Sequence, residues 1–259
     1  MKFDPGFDLR LRERSLGFDY GEGVFGPEPE YRSLDAIRPS LKDDQCNGPD
    51  PVYGIVMDVG EKIDRADLDR RMLLFGAVAY TAGRLGEEPV RSQGHAHHIS
   101  PHCGWSTPEL FEIWDGNAII YMQEFTTDEP GRCIAITAKP GEVVVVPPGW
   151  AHAVINADPE NYMVFGAWCD RQYGFVYDGV RAHGGLAYFP VLAKGDEITW
   201  VANPRYKRND LHVRSARCYP DLGLTSRVPI YRQYKSDPES VAWVSDPGRF
   251  SERWKPFEP

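Results

Sequence analysis

Two histidines one residue apart, a later glutamate and a third histidine are the residues of this sequence best suited to chemistry. His95 and His97 lie in a strand-like segment, where residues i and i+2 project to the same face. Glu109 is the first carboxylate that follows in a strand-like run, and His152 comes later. Three imidazoles and one carboxylate suit one borderline divalent metal ion, such as Fe, Mn, Ni, Co or Zn. An octahedral ion would keep two positions open for a bidentate substrate.

Short apolar runs separated by turn residues must position these side chains. The candidate strands are VYGIVMDV, MLLFGAVAYTA, ELFEIW, NAIIYMQEF, CIAITA, EVVVVP, AHAVIN and YMVFGAWC. The connections carry Gly, Pro, Asn and Asp, which favour tight turns. Many short strands without long helices predict an all-β sandwich or barrel.

Changes in local composition along the sequence predict three segments. Residues 1–49 are rich in Pro, Gly and Asp and form an N-terminal arm or cover, with a short helix expected over Tyr31–Lys42. Residues 50–206 form the barrel that holds the metal site. Residues 207–259 form a C-terminal extension, which could cap the barrel mouth, complete a dimer, or both.

Composition excludes several classes of function. The formal net charge is -9, so no broad basic field exists for nucleic acid or an anionic membrane. No apolar run is long enough to span a bilayer, and the N-terminus lacks the apolar core of a signal peptide. The five cysteines are scattered, as is typical of a reducing compartment. We expect a cytoplasmic protein with no nucleic-acid or membrane partner.

The segment Gly141–Asn156, GEVVVVPPGWAHAVIN, resembles the second cupin motif, G-x5-P-x-G-x2-H-x3-N, at every fixed position. His95-x-His97 and Glu109-x6-Gly116 resemble the first motif, although the insert HISPHCGWSTP makes the gap between them longer than usual. The resemblance implies a cupin fold, a double-stranded β-helix or jelly-roll barrel with short helical and irregular terminal extensions. We expect the insert to form a loop at the barrel mouth.

Within the cupins, the sequence resembles the archaeal-type glucose-6-phosphate isomerases. The shared segments, over about residues 30–206, are Asp50–Tyr53, AYTAGRLGEEPVRSQGHAH, PPGWAH, Gln172–Gly174 and Val201–Arg205. The resemblance implies an isomerase of glycolysis and gluconeogenesis, with a small anionic sugar as substrate and a homodimeric assembly. It also implies that His95, His97, Glu109 and His152 bind the metal, and that Tyr53 and Tyr173 line the sugar site.

Several positions depart from that family where phosphate and sugar would bind. Ala77 stands in place of a hydroxyl residue, Gly149, Trp168 and Phe111 stand in place of tyrosines, and Ser92 replaces a threonine. A site that hydrogen-bonds its substrate rejects analogues strongly, so these changes leave the sugar open. Ser92, Gly94 and Trp168 complete the candidate substrate contacts.

Strand parity supplies one further candidate. Arg91 shares parity with His95 and would point into the barrel, where its planar fork suits phosphate, sulfonate or carboxylate. Ser92 would then point outward, unless a bulge at Gly94 reverses the two. Arg171 and Arg181 are weaker candidates for the same role. Glu112 is off parity with Glu109, and we expect it to face solvent or to support the metal ligands.

The resulting hypothesis is aldose–ketose isomerisation, most simply of glucose 6-phosphate to fructose 6-phosphate. Glu109 is the candidate base for proton transfer between C2 and C1 through a cis-enediol, with a nearby tyrosine or a hydroxide as alternative bases. A hydride shift is the competing mechanism. Two other functions stay open: an isomerase of a sulfonated, uronic or unphosphorylated hexose, and a cupin of another class, either a dioxygenase or a non-catalytic sugar-binding protein.

Overall fold

A computed structural model describes residues 1–259, which form twenty short β-strands and six short α-helices. The strands are β1 Leu9–Arg12, β2 Gly17–Tyr20, β3 Val24–Phe25, β4 Glu30–Arg32, β5 Tyr53–Met57, β6 Gly60–Glu61, β7 Leu73–Tyr80, β8 Arg84–Leu85, β9 Glu88–Pro89, β10 Ala96–His97, β11 Glu109–Asp115, β12 Ala118–Gln123, β13 Cys133–Ala138, β14 Val143–Val146, β15 Ala151–Asn156, β16 Met163–Asp170, β17 Phe175–Val176, β18 Tyr188–Leu192, β19 Ile198–Ala202 and β20 Leu211–Ser215. The helices are α1 Leu34–Ile37, α2 Arg65–Arg70, α3 Asp178–Ala182, α4 Ile230–Ser236, α5 Ala242–Ser245 and α6 Ser251–Trp254. None of these helices has the length and apolar character needed to cross a membrane.

Two facing sheets form the barrel. One has six strands in the order β14-β11-β16-β7-β5-β4, and the other has four in the order β15-β12-β13-β20. Every pair is antiparallel except β13 with β20. The predicted all-β fold of the cupin type is confirmed.

Alternation along each strand divides the side chains between two buried faces. In β7, Leu74, Val78 and Tyr80 join the core between the sheets, whereas Phe75 and Ala77 join a second core on the outer face. All eight residues of β7 are buried, because both faces of the sheet are covered. The run LLFGAVAY is therefore continuously apolar or aromatic instead of alternating with polar residues.

The C-terminal extension and the N-terminal arm cover the outer face of the six-stranded sheet. Tyr231, Tyr234 and Trp243 of the extension share one core cluster with Phe7 of the arm and Trp168 of β16. The extension therefore packs behind the sheet, on the face opposite the barrel interior. On the four-stranded sheet, the segment from α3 through β19 provides the corresponding cover.

Both terminal segments also contribute a strand to the barrel. The arm supplies β4 to the six-stranded sheet, and the extension supplies β20 to the four-stranded sheet. The helix expected over Tyr31–Lys42 is shorter than predicted: α1 begins after Ser33, whose hydroxyl accepts from the Ala36 N–H, and gives way to a 3-10 turn at Arg38–Ser40. Pro39 lies in that turn, where a continued α-helix would lack a donor.

Candidate metal centre

Four side chains meet at the inner surface of the barrel. Single ligand atoms of His95, His97, Glu109 and His152 all lie within 4.8 Å of one another. Glu109 Oε2 is 3.2 Å from His97 Nε2 and 3.1 Å from His152 Nε2. The four residues come from the loop before β10, from β10 itself, from the start of β11 and from β15, and the sequence prediction named all of them.

The charge state of this cluster follows from burial and from its internal hydrogen bonds. Burial alone would raise the pKa of Glu109, but hydrogen bonds from His152 and His97 outweigh it and hold this pKa well below its usual range. Burial lowers the pKa of His95 well below its usual value, with neighbouring histidines adding to the effect. Glu109 is therefore ionised and His95 neutral near pH 7, which are the forms that bind metal.

The donor set fits a divalent metal. Nε2 of His95 is buried with no hydrogen-bond partner, although an unpaired buried polar atom is costly. Nε2 of His97 has only the Glu109 carboxylate beside it, at 3.2 Å, and a metal ion held by the cluster would satisfy both histidines. Nitrogen and carboxylate donors of this kind suit the metals that the sequence predicts.

The insert between His97 and Glu109 orients one of these ligands. It folds back on itself through a bridge between Ile99 and Ser106. His97 Nδ1 lies 2.8 Å from the Thr107 carbonyl oxygen, and the Ser106 hydroxyl donates to the His97 carbonyl at 2.6 Å. Donation from Nδ1 to Thr107 directs Nε2 toward Glu109, so Nε2 is the ring nitrogen that would bind a metal.

A bulge at Gly94 decides which of Arg91 and Ser92 faces inward. Bridges pair Arg91 with Ile155 and His95 with His152. The four-residue advance from Arg91 to His95 therefore faces a three-residue advance from His152 to Ile155, which is a β-bulge. Gly94 lies in this bulge with a φ of +87°. The Ser92 hydroxyl accordingly points inward and accepts from the Val154 N–H at 3.0 Å. The expectation that Arg91 meets a substrate anion is wrong.

Arg91 is fully engaged elsewhere. It is buried, and its Nε donates to Glu88 at 2.6 Å while its other nitrogens donate to the carbonyls of Ser40 and Ser92. Arg171 also has carboxylate partners, Asp58 and Asp69. Neither guanidinium lines the cavity beside the metal ligands.

Strand parity removes one further candidate, Trp168, from the predicted sugar site. Trp168 is fully buried on the outer face, where its indole N–H donates to the Ile230 carbonyl at 3.3 Å and its ring stacks on Tyr231. Ala77 faces the same way. The prediction that Trp168 contacts substrate is therefore wrong, because even-numbered residues of β16 face the cover while Phe165 and Ala167 face inward.

Glu112 is neither solvent-facing nor a partner of the metal ligands. It is buried beneath the extension, where it accepts from the Trp114 indole N–H at 2.9 Å and from the Ile230 N–H at 3.0 Å. Burial raises the pKa of Glu112 to about 8. The sequence offers no sign of this role, because the partner Ile230 lies far along the chain.

One cavity contains three of the four candidate metal ligands, His95, Glu109 and His152, and some of the predicted substrate contacts. Tyr53 and Ser92 line it, whereas Gly94 and Tyr173 do not. The Tyr173 ring packs against the ring of Phe175, which does line the cavity, with centroids 5.3 Å apart. Sequence reasoning missed several lining residues, namely Arg32, Tyr80, Gln93, Phe175 and Tyr177. Parity along β7 could have identified Tyr80, but the sequence gives no signal for Arg32 or for the pairing of β10 with β17 that places Phe175 and Tyr177.

Fold and site together define a cupin-type barrel with three histidines and one carboxylate at its inner surface. The family model described as glucose-6-phosphate isomerase (GPI) matches residues 35–207. Because this match spans more than half of the chain, the chain belongs to the glucose-6-phosphate isomerase family, which is a family of isomerases. The family resemblance predicted from the sequence is confirmed.

Named relatives agree with this assignment. The glucose-6-phosphate isomerase of Pyrococcus furiosus is 30% identical over 159 residues, which are 61% of this chain and 75% of that protein. The glucose-6-phosphate isomerase of Thermococcus kodakarensis is 27% identical over 201 residues, which are 76% of this chain and 97% of that protein.

Solved structures resemble the chain only distantly. Oxalate oxidase in complex with glycolate shares 16% identity over 41% of this chain and 46% of that chain, with a TM-score of 0.31. A variant of oxalate decarboxylase from B. subtilis shares 14% identity over 50% of this chain and 29% of that chain, with a TM-score of 0.34. Likeness at this level carries no information on activity or ligand.

Proposed function

We propose that this protein catalyses aldose–ketose isomerisation of glucose 6-phosphate and fructose 6-phosphate, with dependence on one divalent metal ion. The observation that carries the proposal is the cluster of His95, His97, Glu109 and His152, whose ligand atoms lie within 4.8 Å of one another. His95, Glu109 and His152 also line one cavity. Membership of the glucose-6-phosphate isomerase family supports the choice of reaction and substrate.

The chain's own residues supply binding, orientation and a dry environment. A divalent metal held by the four residues would act as a Lewis acid toward the carbonyl and hydroxyl oxygens at C1 and C2. Phe111 and Phe165 shield the cavity from water, and Phe175 packs on the His95 ring with centroids 4.3 Å apart. The hydroxyls of Tyr53 and Ser92 are available to orient the sugar.

Glu109 is the proposed base. Its Oε2 faces two imidazoles, while its Oε1 accepts a hydrogen bond from the Cys169 thiol at 3.2 Å. The low pKa of Glu109 keeps it ionised, as a base must be, but also makes it a weak one. Deuterium from solvent in the product would support proton transfer, whereas complete retention of substrate deuterium would support a hydride shift.

An isomerase of a related anionic hexose is the second candidate. Phe111 lines the cavity at a position where the family resemblance implies a tyrosine, so one hydroxyl partner for the substrate is absent. Sites built on hydrogen bonds discriminate strongly between such substrates. A panel of glucose 6-phosphate, 6-deoxy-6-sulfoglucose, glucuronate and glucose, compared by kcat/KM, separates the two candidates.

The decisive experiment follows both sugars by NMR after reconstitution with Mn, ferrous Fe, Ni or Zn. We expect metal-dependent interconversion of glucose 6-phosphate and fructose 6-phosphate, lost in His152→Ala together with the bound metal. A matched control is His212→Ala, since His212 lies on the exposed edge strand β20.

Each negative outcome of this experiment would reject a different part of the proposal. One bound metal per chain without turnover would reject glucose 6-phosphate as substrate and leave the related hexoses, or a sugar-binding protein, to be tested. Oxygen consumption with ferrous iron would identify a dioxygenase instead. Folded protein that binds none of the four metals would reject the metal centre itself.

We also propose a homodimer located in the cytoplasm. The family resemblance is the support for the dimer. All five cysteines are free in the structure, in keeping with a reducing compartment. Size-exclusion chromatography with light scattering tests the assembly, and a monomeric mass would reject it.

A further inference from the structure

The cavity that contains the metal ligands has a single arginine or lysine in its wall, Arg32. This residue ends β4, the edge strand of the six-stranded sheet, and its register partner is Tyr53 of β5. Arg32 lies outside residues 35–207, the region matched by the family model. The match to the family model therefore does not include it.

The guanidinium of Arg32 has no anionic partner in the protein. Its Nε is buried without a hydrogen bond. Burial lowers the pKa of Arg32, but the phenol groups of Tyr53 and Tyr177, with a smaller effect of Glu30, raise it overall. The side chain is therefore charged, and its unpaired Nε can still donate to a ligand.

None of the other arginines near the site lines the cavity, and two of them are paired with carboxylates. Arg91 donates to Glu88 at 2.6 Å, and Arg171 donates to Asp58 at 2.9 Å. Arg181 is exposed, lies over the Tyr177 ring at 4.9 Å and donates to Gln93 at 3.1 Å. Arg32 is therefore the free cation available to a molecule inside the cavity.

The placement of Arg32 matches the shape of the proposed substrate. A hexose whose C1 and C2 approach the metal ligands carries its 6-substituent at the far end of an open chain. Arg32 lines the same cavity as His95, Glu109 and His152. One ligand inside that cavity can therefore contact both Arg32 and the proposed metal ligands.

We propose that Arg32 is the specificity-determining residue of this site and binds the anionic 6-substituent of the sugar through its guanidinium fork, assisted by the hydroxyls of Tyr53 and Tyr177. This proposal rests on the proposed isomerase function. The chemistry recognised is a tetrahedral or planar oxyanion, whether phosphate, sulfonate or carboxylate. Charge-assisted hydrogen bonds of this kind are about twice as strong as neutral ones, and the planar fork suits bidentate binding of an oxyanion.

The first test measures binding alone, so that it does not depend on turnover. Glucitol 6-phosphate has no carbonyl and cannot be isomerised, and glucitol lacks the anion. We expect calorimetry on metal-reconstituted protein to show that Arg32→Gln raises the Kd of glucitol 6-phosphate on the order of 100-fold. Binding of glucitol should not change. Arg32→Lys keeps the charge but loses the fork and should fall between the two.

A matched control has the same change in net charge far from the cavity. Arg10→Gln removes an exposed guanidinium on β1 and should leave both Kd values unaltered. Thermal unfolding of each variant checks that the fold is intact. Equal weakening of both ligands, or no weakening of either, in a folded Arg32→Gln would overturn the proposal.

Kinetics then identify the anion and separate this proposal from the proposed function. Among glucose 6-phosphate, 6-deoxy-6-sulfoglucose and glucuronate, the true substrate should show a raised KM in Arg32→Gln with a smaller change in kcat. Isomerase activity with an unchanged KM would reject the role of Arg32 and keep the function. Arg32-dependent binding without turnover of any sugar would keep the anion site and reject the function.

Discussion

Both carboxylate oxygens of Glu109 are engaged before any ligand enters the site. Oε2 faces the imidazoles, and Oε1 accepts from Cys169 Sγ at 3.2 Å. Burial raises the pKa of Cys169 well above its usual value, so the thiol keeps its proton and acts as a donor. Cys169 is therefore a positioning residue: its hydrogen bond to Oε1 fixes the rotation of the Glu109 carboxylate about the Cγ–Cδ bond.

Replacement of Cys169 by alanine should loosen Glu109 without removing a metal ligand. We expect Cys169→Ala to bind one metal per chain and to lower kcat about 5-fold, the cost of one weak hydrogen bond. Steady-state kinetics and metal analysis measure both effects. Cys133→Ala, a buried cysteine on β13, is the control. An unchanged kcat in Cys169→Ala would show that the thiol is only packing.

The orientation of a side chain could be predicted where a local motif fixes it. His95, His97 and His152 belong to motifs whose spacing alone places them on inward positions. Arg91 could not be placed, because a single extra residue at Gly94 reverses the faces of all residues before it. The place of Arg32 depends on how the N-terminal arm pairs with β5, and no motif surrounds it.

At the scale of elements, the Gly94 bulge lets both Ser92 and His95 line the cavity. Its φ of +87° is one that favours glycine, and a Cβ there would lie 2.8 Å from Leu186 Cδ1. The adjoining His95 N–H donates to the His152 carbonyl at 3.0 Å, and the His152 N–H donates back at 2.8 Å. The backbone next to the bulge is therefore hydrogen-bonded directly to β15 at His152.

Gly94→Ala should disturb this element and the metal together. We expect a loss of stability of about 1–3 kcal/mol from the strained φ, and weaker metal binding because His95 is displaced. Gly195→Ala is the matched control, since Gly195 has a φ of +80° with no atom near its Cβ position. Thermal unfolding should report destabilisation in both variants. Equal metal affinity in the two would contradict a positioning role for the bulge.

Strand existence was largely predictable, but strand environment was not. The continuous apolar runs of β7 and β16 indicate strands that are buried on both faces. Which segment covers each face depends on contacts between distant parts of the chain, such as Trp168 with Tyr231. For this reason the sequence predicts the strands that hold Trp168 and Glu112 but not the surroundings of these two side chains.

At the scale of the whole molecule, Glu112 links the barrel to the C-terminal extension. It accepts from the first N–H of α4 at Ile230, and its pKa is raised to about 8 by burial, with Asp4 adding to the effect. A raised pKa means that the folded state binds the proton more tightly than the unfolded state does. Stability from this group is therefore complete below about pH 4.5 and is lost as the pH rises through 8.

Glu112→Gln should remove that dependence on pH. We expect the variant to be less stable than wild type at pH 5, by about 1 kcal/mol for one lost hydrogen bond. Above pH 8 the order should reverse, because wild type then carries a buried charge. Urea unfolding at several pH values measures this, with the exposed Glu160→Gln as control. Parallel curves for wild type and Glu112→Gln would refute the assignment.

The cover on the outer face also determines what optical spectroscopy can detect. None of the seven tryptophans lines the cavity, whereas Trp114, Trp168 and Trp243 are fully buried where the extension meets the six-stranded sheet. Intrinsic indole emission will therefore shift to the red when the extension detaches and will respond little to a sugar in the barrel. The tyrosines Tyr53, Tyr80 and Tyr177 line the cavity, so absorbance changes of phenol are the label-free signal of an occupied site.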